Sequence, residues 1–168
     1  MACTERTLCQ VLFVGDSTDR KELVERVKER GLTPQRAYCV DEAIEESLKT
    51  RPRLIIVSEC LPVTREDLET LRMAELAAKQ PGDGDKIRKA KEAARTGGIA
   101  FLENWRAREG EQQHIPVLFL TEKPDGRERF FEEVLRVGGD LTDWMVEDEP
   151  IGLVLGRCRT LFRRAGRQ

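Results

Sequence analysis

Histidine is almost missing from this chain. His114 is the only one among 168 residues, and the five cysteines (Cys3, Cys9, Cys39, Cys60 and Cys158) are odd in number, scattered and without a CxxC spacing. That scarcity argues against a zinc site, which gathers four nitrogen or sulfur ligands, and against a disulfide framework. Reduced thiols in a cytoplasmic protein are the expectation. No apolar run approaches the roughly 20 residues of a membrane span. The opening Met1-Ala2-Cys3-Thr4-Glu5-Arg6 lacks the basic-then-apolar pattern of a secretory signal. A surplus of either charge is missing too. Lysine and arginine number 29 against 31 acidic residues, a formal net charge of −2, so no overall field draws the chain to nucleic acid or a membrane.

What the chain has is short apolar runs alternating with helical stripes. The organising stretch is Pro52-Arg53-Leu54-Ile55-Ile56-Val57-Ser58-Glu59-Cys60-Leu61-Pro62. Its unbroken core, Leu54 to Val57, has the pattern of a strand buried on both faces of a parallel sheet. Gln10 to Asp16 and His114 to Thr121 read the same way, and Thr142 to Val146 is a last short strand. Leu32 to Tyr38 contains Pro34, which cannot donate to a ladder, so this strand belongs at an edge. Helical spacing marks Asp19 to Arg30, with Ser17 or Thr18 as its cap, and Asp41 to Lys49. It returns from Ile99 to about Arg108, from Phe130 to Val137 and from Ile151 to Phe162. Five strands alternating with helices predict a doubly wound, flavodoxin-like α/β fold with a parallel sheet of order 2-1-3-4-5. In such sheets the chemistry sits at the carboxyl ends of the strands, which here means Ser58.

One piece exceeds what this fold needs. About 35 residues separate Pro62 from Ile99, where a short connection suffices. Arg65 to Lys79 has helical spacing at Leu68, Leu71, Leu76 and Ala77; Pro81-Gly82-Asp83-Gly84 is a break; Lys86 to Arg95 resumes as a Lys- and Arg-rich helix. The expectation is one domain over 8–166, with a helical hairpin inserted at about 64–97 between the third strand and the third helix.

In this order the segments resemble the receiver domain of bacterial response regulators, the phospho-accepting half of two-component signalling. The resemblance runs from about Val11 to Arg164, excluding the insertion. It is carried by Val11-Leu12-Phe13-Val14-Gly15-Asp16, by Arg53 to Ser58 with Leu61-Pro62, by Gly98 to Leu102, by His114 to Thr121, and by Asp143-Trp144-Met145-Val146-Glu147. It implies a carboxylate that takes a phosphoryl group from a kinase histidine. An acidic pair holding Mg²⁺, a Thr or Ser hydroxyl and a neutralising lysine complete such a site.

The residues at those positions depart from that set. Gly15 and Asp16 stand at the acidic pair, Ser58 at the acceptor (four before Pro62 and six after Pro52), Thr121 at the hydroxyl, and Glu147 at the lysine when Trp144 anchors the register. A serine hydroxyl is far less acidic than a carboxyl group, and no histidine stands by to activate it. Asp16 alone is a poor Mg²⁺ site, and Glu147 would repel a phosphoryl group. No catalytic residue, no Mg²⁺ and no other cofactor are expected. The reading is a degenerate pseudo-receiver: a non-enzymatic adaptor that contacts a histidine kinase or other signalling protein independently of phosphorylation. No output domain is expected after the last helix, so any effect is expected to pass through binding. Two alternatives are a phosphorelay regulator phosphorylated at an atypical residue, and a nucleic-acid- or nucleotide-binding regulator using the basic insertion.

Two surfaces are expected to meet the partner. One is centred on Trp144, where receivers carry a switch aromatic, because tryptophan is enriched in interface hot spots. The other is the inserted helix with Lys86, Arg88, Lys89 and Lys91. Its interleaved Asp85 and Glu92, and its lack of aromatics, weigh against nucleic acid. Strand alternation points Glu59 away from Asp16. Cys60 reads as a small filler, His114 as a structural cap, and Gly138-Gly139-Asp140 as a turn. Arg157, Arg159, Arg163, Arg164 and Arg167 suit the end of a helix.

Overall fold

The structure, a computed structural model, describes residues 11–18, 20–77, 84–108, 110, 114–122 and 128–166. Strands β1 (Val11–Val14), β2 (Pro34–Ala37), β3 (Leu54–Ser58), β4 (Val117–Thr121) and β5 (Thr142–Val146) form one sheet of order β2-β1-β3-β4-β5. Every pairing is parallel, with Val14 beside Val57, Val57 beside Phe119 and Thr121 beside Val146. The expected fold class and strand order hold. β2, which opens on Pro34, pairs only with β1 and lies at the edge.

The three inner strands are apolar up to the polar ends Ser58 of β3 and Thr121 of β4, because both faces are covered. Leu12, Val14, Ile55, Val57, Val117 and Phe119 face α2 (Val40–Thr50), α5 (Gly97–Arg106) and α6 (Glu128–Gly138). Their sequence neighbours Val11, Phe13, Leu54, Ile56, Leu118 and Leu120 face α1 (Lys21–Glu29) and α7 (Ile151–Ala165). Successive side chains of a strand point to opposite faces, so one run of four apolar residues feeds two cores.

Several expected boundaries move. Gln10, Asp19 and Arg167 lie outside the described residues, as does the side chain of Ser17. Thr18 does not cap α1: its hydroxyl donates to the Gly15 carbonyl at 2.7 Å, and the N-cap residue is Arg20, without a side-chain cap. β4 starts at Val117 and not at His114, which is exposed. Pro116 has no N–H to give the ladder; Val117 makes the first donation, to the Leu141 carbonyl at 2.8 Å. α5 starts at Gly97, two residues before Ile99, because two glycines admit it close against the chain that leaves β3.

The insertion folds as α3 (Arg65–Leu76) and α4 (Gly84–Ala94), with Lys79 and the break at Pro81-Gly82-Asp83 outside the described residues. A capping box between Thr64 and Asp67 opens α3. The neck of the hairpin is closed, since the Leu61 N–H donates to the Ala94 carbonyl at 2.8 Å. Arg65 pairs with Glu42 and Glu45 of α2, and the Arg72 guanidinium sits 5.1 Å over the Tyr38 ring. The expected stripe of Leu68, Leu71, Leu76 and Ala77 is only partly inward. Leu68 is buried, whereas Leu76 is 84% exposed and Ala77 is also exposed. The hairpin is held to the body at its base, and among the described residues no other layer covers the far end of α3.

Among the described cysteines Cys60 is exposed while Cys39 and Cys158 are buried. Burial pushes the Cys158 thiol up from 9.0 to about 12. The unfolded thiol ionises first, so this residue favours the folded state less as pH climbs from about 9 towards 12. Near neutral pH a thiol reagent is therefore expected to modify Cys60 and to spare Cys39 and Cys158 until the chain unfolds, as peptide mass mapping will show. Because the neck is closed, replacing residues 66–93 by a short Gly-Ser bridge is expected to leave one cooperative denaturant transition. Loss of cooperativity would show instead that the hairpin is integral to the core.

Candidate functional site

Parallel strands deliver their ends to one edge of the sheet. Gly15 follows β1, Ser58 ends β3, Thr121 ends β4 and Glu147 follows β5, so the positions picked out in the sequence line the carboxyl edge of four neighbouring strands. Asp16 begins the short 3-10 turn Asp16–Thr18 and is exposed. The Glu147 N–H donates to the Thr121 carbonyl at 2.8 Å, tying the last two strand ends together.

Gly15 and Ser58 are packed directly against each other. Gly15 has φ +94°, a region that L side chains rarely adopt, and a Cβ placed on it would lie 2.7 Å from the Ser58 Cβ. Ser58 is 1% exposed, and the buried Leu61 closes the same space. The strand-end side chain is thus enclosed and not presented to solvent. Thr121 is fully buried, and its hydroxyl donates to the Glu122 carbonyl at 2.9 Å.

Three further residues shape this edge and were not read from the sequence as parts of it. Arg20 reaches from the start of α1 and donates through Nη1 to the carbonyls of Glu147 at 3.1 Å and Glu149 at 2.8 Å. It is a cation among the acidic residues of the β5–α7 loop, and no local pattern announces a contact between segments so far apart in the chain. Gly97 and Gly98 are the other two. The Gly98 N–H donates to the Glu59 carbonyl at 3.0 Å; a Cβ at Gly97 would run into the Leu61 carbonyl, and one at Gly98 into the Ser58 carbonyl. Adjacent glycines at a helix start were the available signal.

Glu59 turns towards β4. Its side chain, in a residue 5% exposed, accepts from the Glu122 N–H at 3.2 Å. Cys60 Sγ lies 4.0 Å from Glu122 Oε1. Among the described residues, no three or more His, Cys, Asp or Glu side chains gather as metal ligands would.

The two expected binding surfaces stand apart. Trp144 is half-buried on the edge strand β5, its ring stacked on Phe131 with centroids 3.9 Å apart. Its neighbour Asp143 is buried and pairs with Arg157 at 3.1 Å. Lys86, Arg88, Lys89 and Lys91 are exposed on α4, where Arg88 pairs with Asp85 at 3.0 Å. The hairpin is fastened to α2 and to Tyr38, which follows the opposite edge strand β2.

Fold and edge together define a doubly wound α/β domain of the kind that works at the carboxyl ends of its strands. No protein-family model matches the chain, and no curated protein sequence matches it. Solved structures do match. The receiver domain of a signal transduction histidine kinase from Syntrophus aciditrophicus superposes with a TM-score of 0.63 at 20% identity, covering 95% of this chain and 94% of its own. The NtrX receiver domain from Brucella abortus gives 0.61 at 15%, over 92% and 98%. The chemotaxis response regulator CheY4 of Vibrio cholerae gives 0.60 at 18%, over 92% and 98%. The chain therefore has the fold of response-regulator receiver domains, with a helical hairpin added after β3.

The Gly15–Ser58 contact yields a test. Gly15→Ala is expected to cost about 2 kcal/mol in denaturant unfolding, from the positive φ and from the approach to Ser58. Adding Ser58→Gly removes the approach but not the φ strain, so the double variant is expected to recover only part of the loss. Full recovery would assign the cost to the contact alone.

Proposed function

We propose that this domain is a signalling adaptor with a receiver fold, one that works by binding a protein partner and not by carrying a phosphoryl group. The observation that carries this reading is the close packing of Gly15 against Ser58. Phosphoryl transfer to a strand-end residue needs a nucleophile that an incoming phosphorus can reach in line, with a cation against the transferred oxygens. Ser58 offers a hydroxyl, far less acidic than a carboxyl group, and it is enclosed by Gly15 and Leu61.

The charge at this edge supports the same reading. Glu147, Asp148 and Glu149 follow β5 in a row, and Arg20 donates to two of their backbone carbonyls. A cation held against carbonyls fixes the loop, and the adjacent carboxylates disfavour a dianionic phosphoryl group. Asp16 by itself gives Mg²⁺ one carboxylate where the ion needs several oxygen ligands and accurate octahedral geometry. The domain is accordingly read as non-enzymatic, its partner as a histidine kinase or another signalling protein. The contact surfaces are the Trp144–Phe131 stack at the β5 edge and the α3–α4 hairpin.

Incubation with acetyl phosphate and Mg²⁺, or with beryllofluoride and Mg²⁺, tests this directly. The expected outcome is no mass increase of one phosphoryl group and no Mg²⁺-dependent change in Trp144 fluorescence, recorded in a Trp105→Phe background. Ser58→Asp alone is expected to stay inert, because Gly15, Asp16 and the acidic loop are unchanged. A phosphoryl adduct on the wild-type chain would establish the working-receiver alternative.

A further inference from the structure

The hairpin separates its charges by helix. On α3, Glu66, Glu69, Met73 and Leu76 recur at i, i+3, i+7 and i+10 and are all exposed, so they form one stripe along its open side. Met73 is 63% and Leu76 84% exposed, the two most exposed large apolar residues described. On α4 the exposed residues are chiefly basic: Lys86, Arg88, Lys89 and Lys91, against Asp85 and Glu92. Ala90 and Ala94 face inward instead. Among the described residues, Glu66, Glu69, Lys86 and Lys89 take part in no ion pair. Between the helices runs a groove of about 410 Å³, lined by Glu66, Glu69, Met73, Ala74, Lys86 and Ile87 among others.

The geometry points to a second copy of this chain as the occupant of that groove, the two hairpins meeting about a two-fold axis as a four-helix assembly. A two-fold contact requires one patch to be complementary to itself. This patch meets the requirement, because it carries both halves of the complement. The acidic, Met- and Leu-bearing stripe of α3 lies across the basic α4 of the other copy, and the rotation repeats the contact in reverse. Met73 and Leu76 supply the exposed apolar side chains of the contact. An acidic partner would match α4 but leave the acidic stripe of α3 facing like charge; a second copy matches both. α3 has 12 residues and α4 has 11, so the contact is about 18 Å long at 1.5 Å per residue. That is small for a stable interface, so the dimer dissociates on dilution and loosens as salt screens its charges.

This deepens the reading of the hairpin as a binding element and rests on it. It is independent of whether Ser58 takes a phosphoryl group. The experiment is sedimentation equilibrium on the full chain over a wide concentration range, at low and high salt, for wild type, Glu66→Lys/Glu69→Lys and Lys86→Glu/Lys89→Glu. Circular dichroism confirms that each variant is folded. Wild type is expected to dimerise at high concentration, more weakly in high salt. Each variant alone is expected to stay monomeric, since the facing positions 66, 69, 86 and 89 then carry one sign of charge. Mixing the two variants is expected to restore the dimer, because each now offers the complement of the other. A wild type that is monomeric throughout, variants that dimerise as well as wild type, or a mixture that stays monomeric would each overturn the proposal. None of these results bears on the phosphorylation assay, whose outcome judges the adaptor reading separately.

Discussion

The turn that leaves β3 is where the structure is tied together. Within four residues, the Glu59 N–H bonds the Leu120 carbonyl, the Glu59 carbonyl receives the Gly98 N–H, and the Leu61 N–H bonds the Ala94 carbonyl. These three bonds join the sheet, the start of α5 and the neck of the insertion. The polar backbone of a turn buried this deeply must be satisfied internally, and here the satisfying partners come from three different elements. Gly97 and Gly98 follow as a requirement, since any side chain there would displace the turn's own carbonyls. The same turn encloses Ser58 from below and holds Leu61 against Gly15. The order of the fold and the closure of its strand-end pocket thus have one cause.

Much of this was legible in the residues because the signals were local. Leu54 to Val57, Val11 to Val14 and Val117 to Leu120 are apolar at every position, and a strand reads that way only when both faces are covered. Pro34 declared an edge, and the pattern of the insertion declared two helices. The errors came where distant contacts decide. Thr18 looked like a cap, but its hydroxyl turns back to Gly15. Leu76 has helical spacing with Leu68, yet it is exposed. At the edge of the sheet, Gly15, Asp16, Ser58, Thr121 and Glu147 were legible through the resemblance to receivers, with the flanking prolines fixing Ser58 and Trp144 fixing Glu147. Arg20 was not, because its partners are the carbonyls of a loop at the other end of the chain.

Arg20 also changes how the edge is understood electrostatically. The residues that converge there are Asp16, Glu122, Glu147, Asp148 and Glu149, with Glu59 buried beneath. Arg20 enters as a structural cation whose Nη1 is spent on backbone oxygens, not as a free charge waiting for a ligand. A loop pinned in this way has lost a degree of freedom that an effector would need in order to pull it into a second position. A ligand shifts an equilibrium only by its differential affinity for two states. On the proposed adaptor reading, the strand ends give a phosphoryl group little to discriminate with.

On the proposed adaptor reading, binding is carried by surfaces away from the strand ends, and their arrangement decides what binding can accomplish. The hairpin stands beside α2 and Tyr38, near the β2 edge, while Trp144 stacks on Phe131 at the β5 edge. Both lie on the face covered by α2, α5 and α6, towards opposite edges of the sheet. If the hairpin pairs two copies, each copy still presents its own Trp144 face, and the pair displays two equivalent sites. A partner with two matching sites would meet that pair with the gain of an intramolecular second contact, without any stronger individual interaction. In that arrangement association replaces phosphorylation as the controlled variable. The inserted helices then supply, through concentration and charge, the control over partner engagement that the enclosed strand ends of this domain do not.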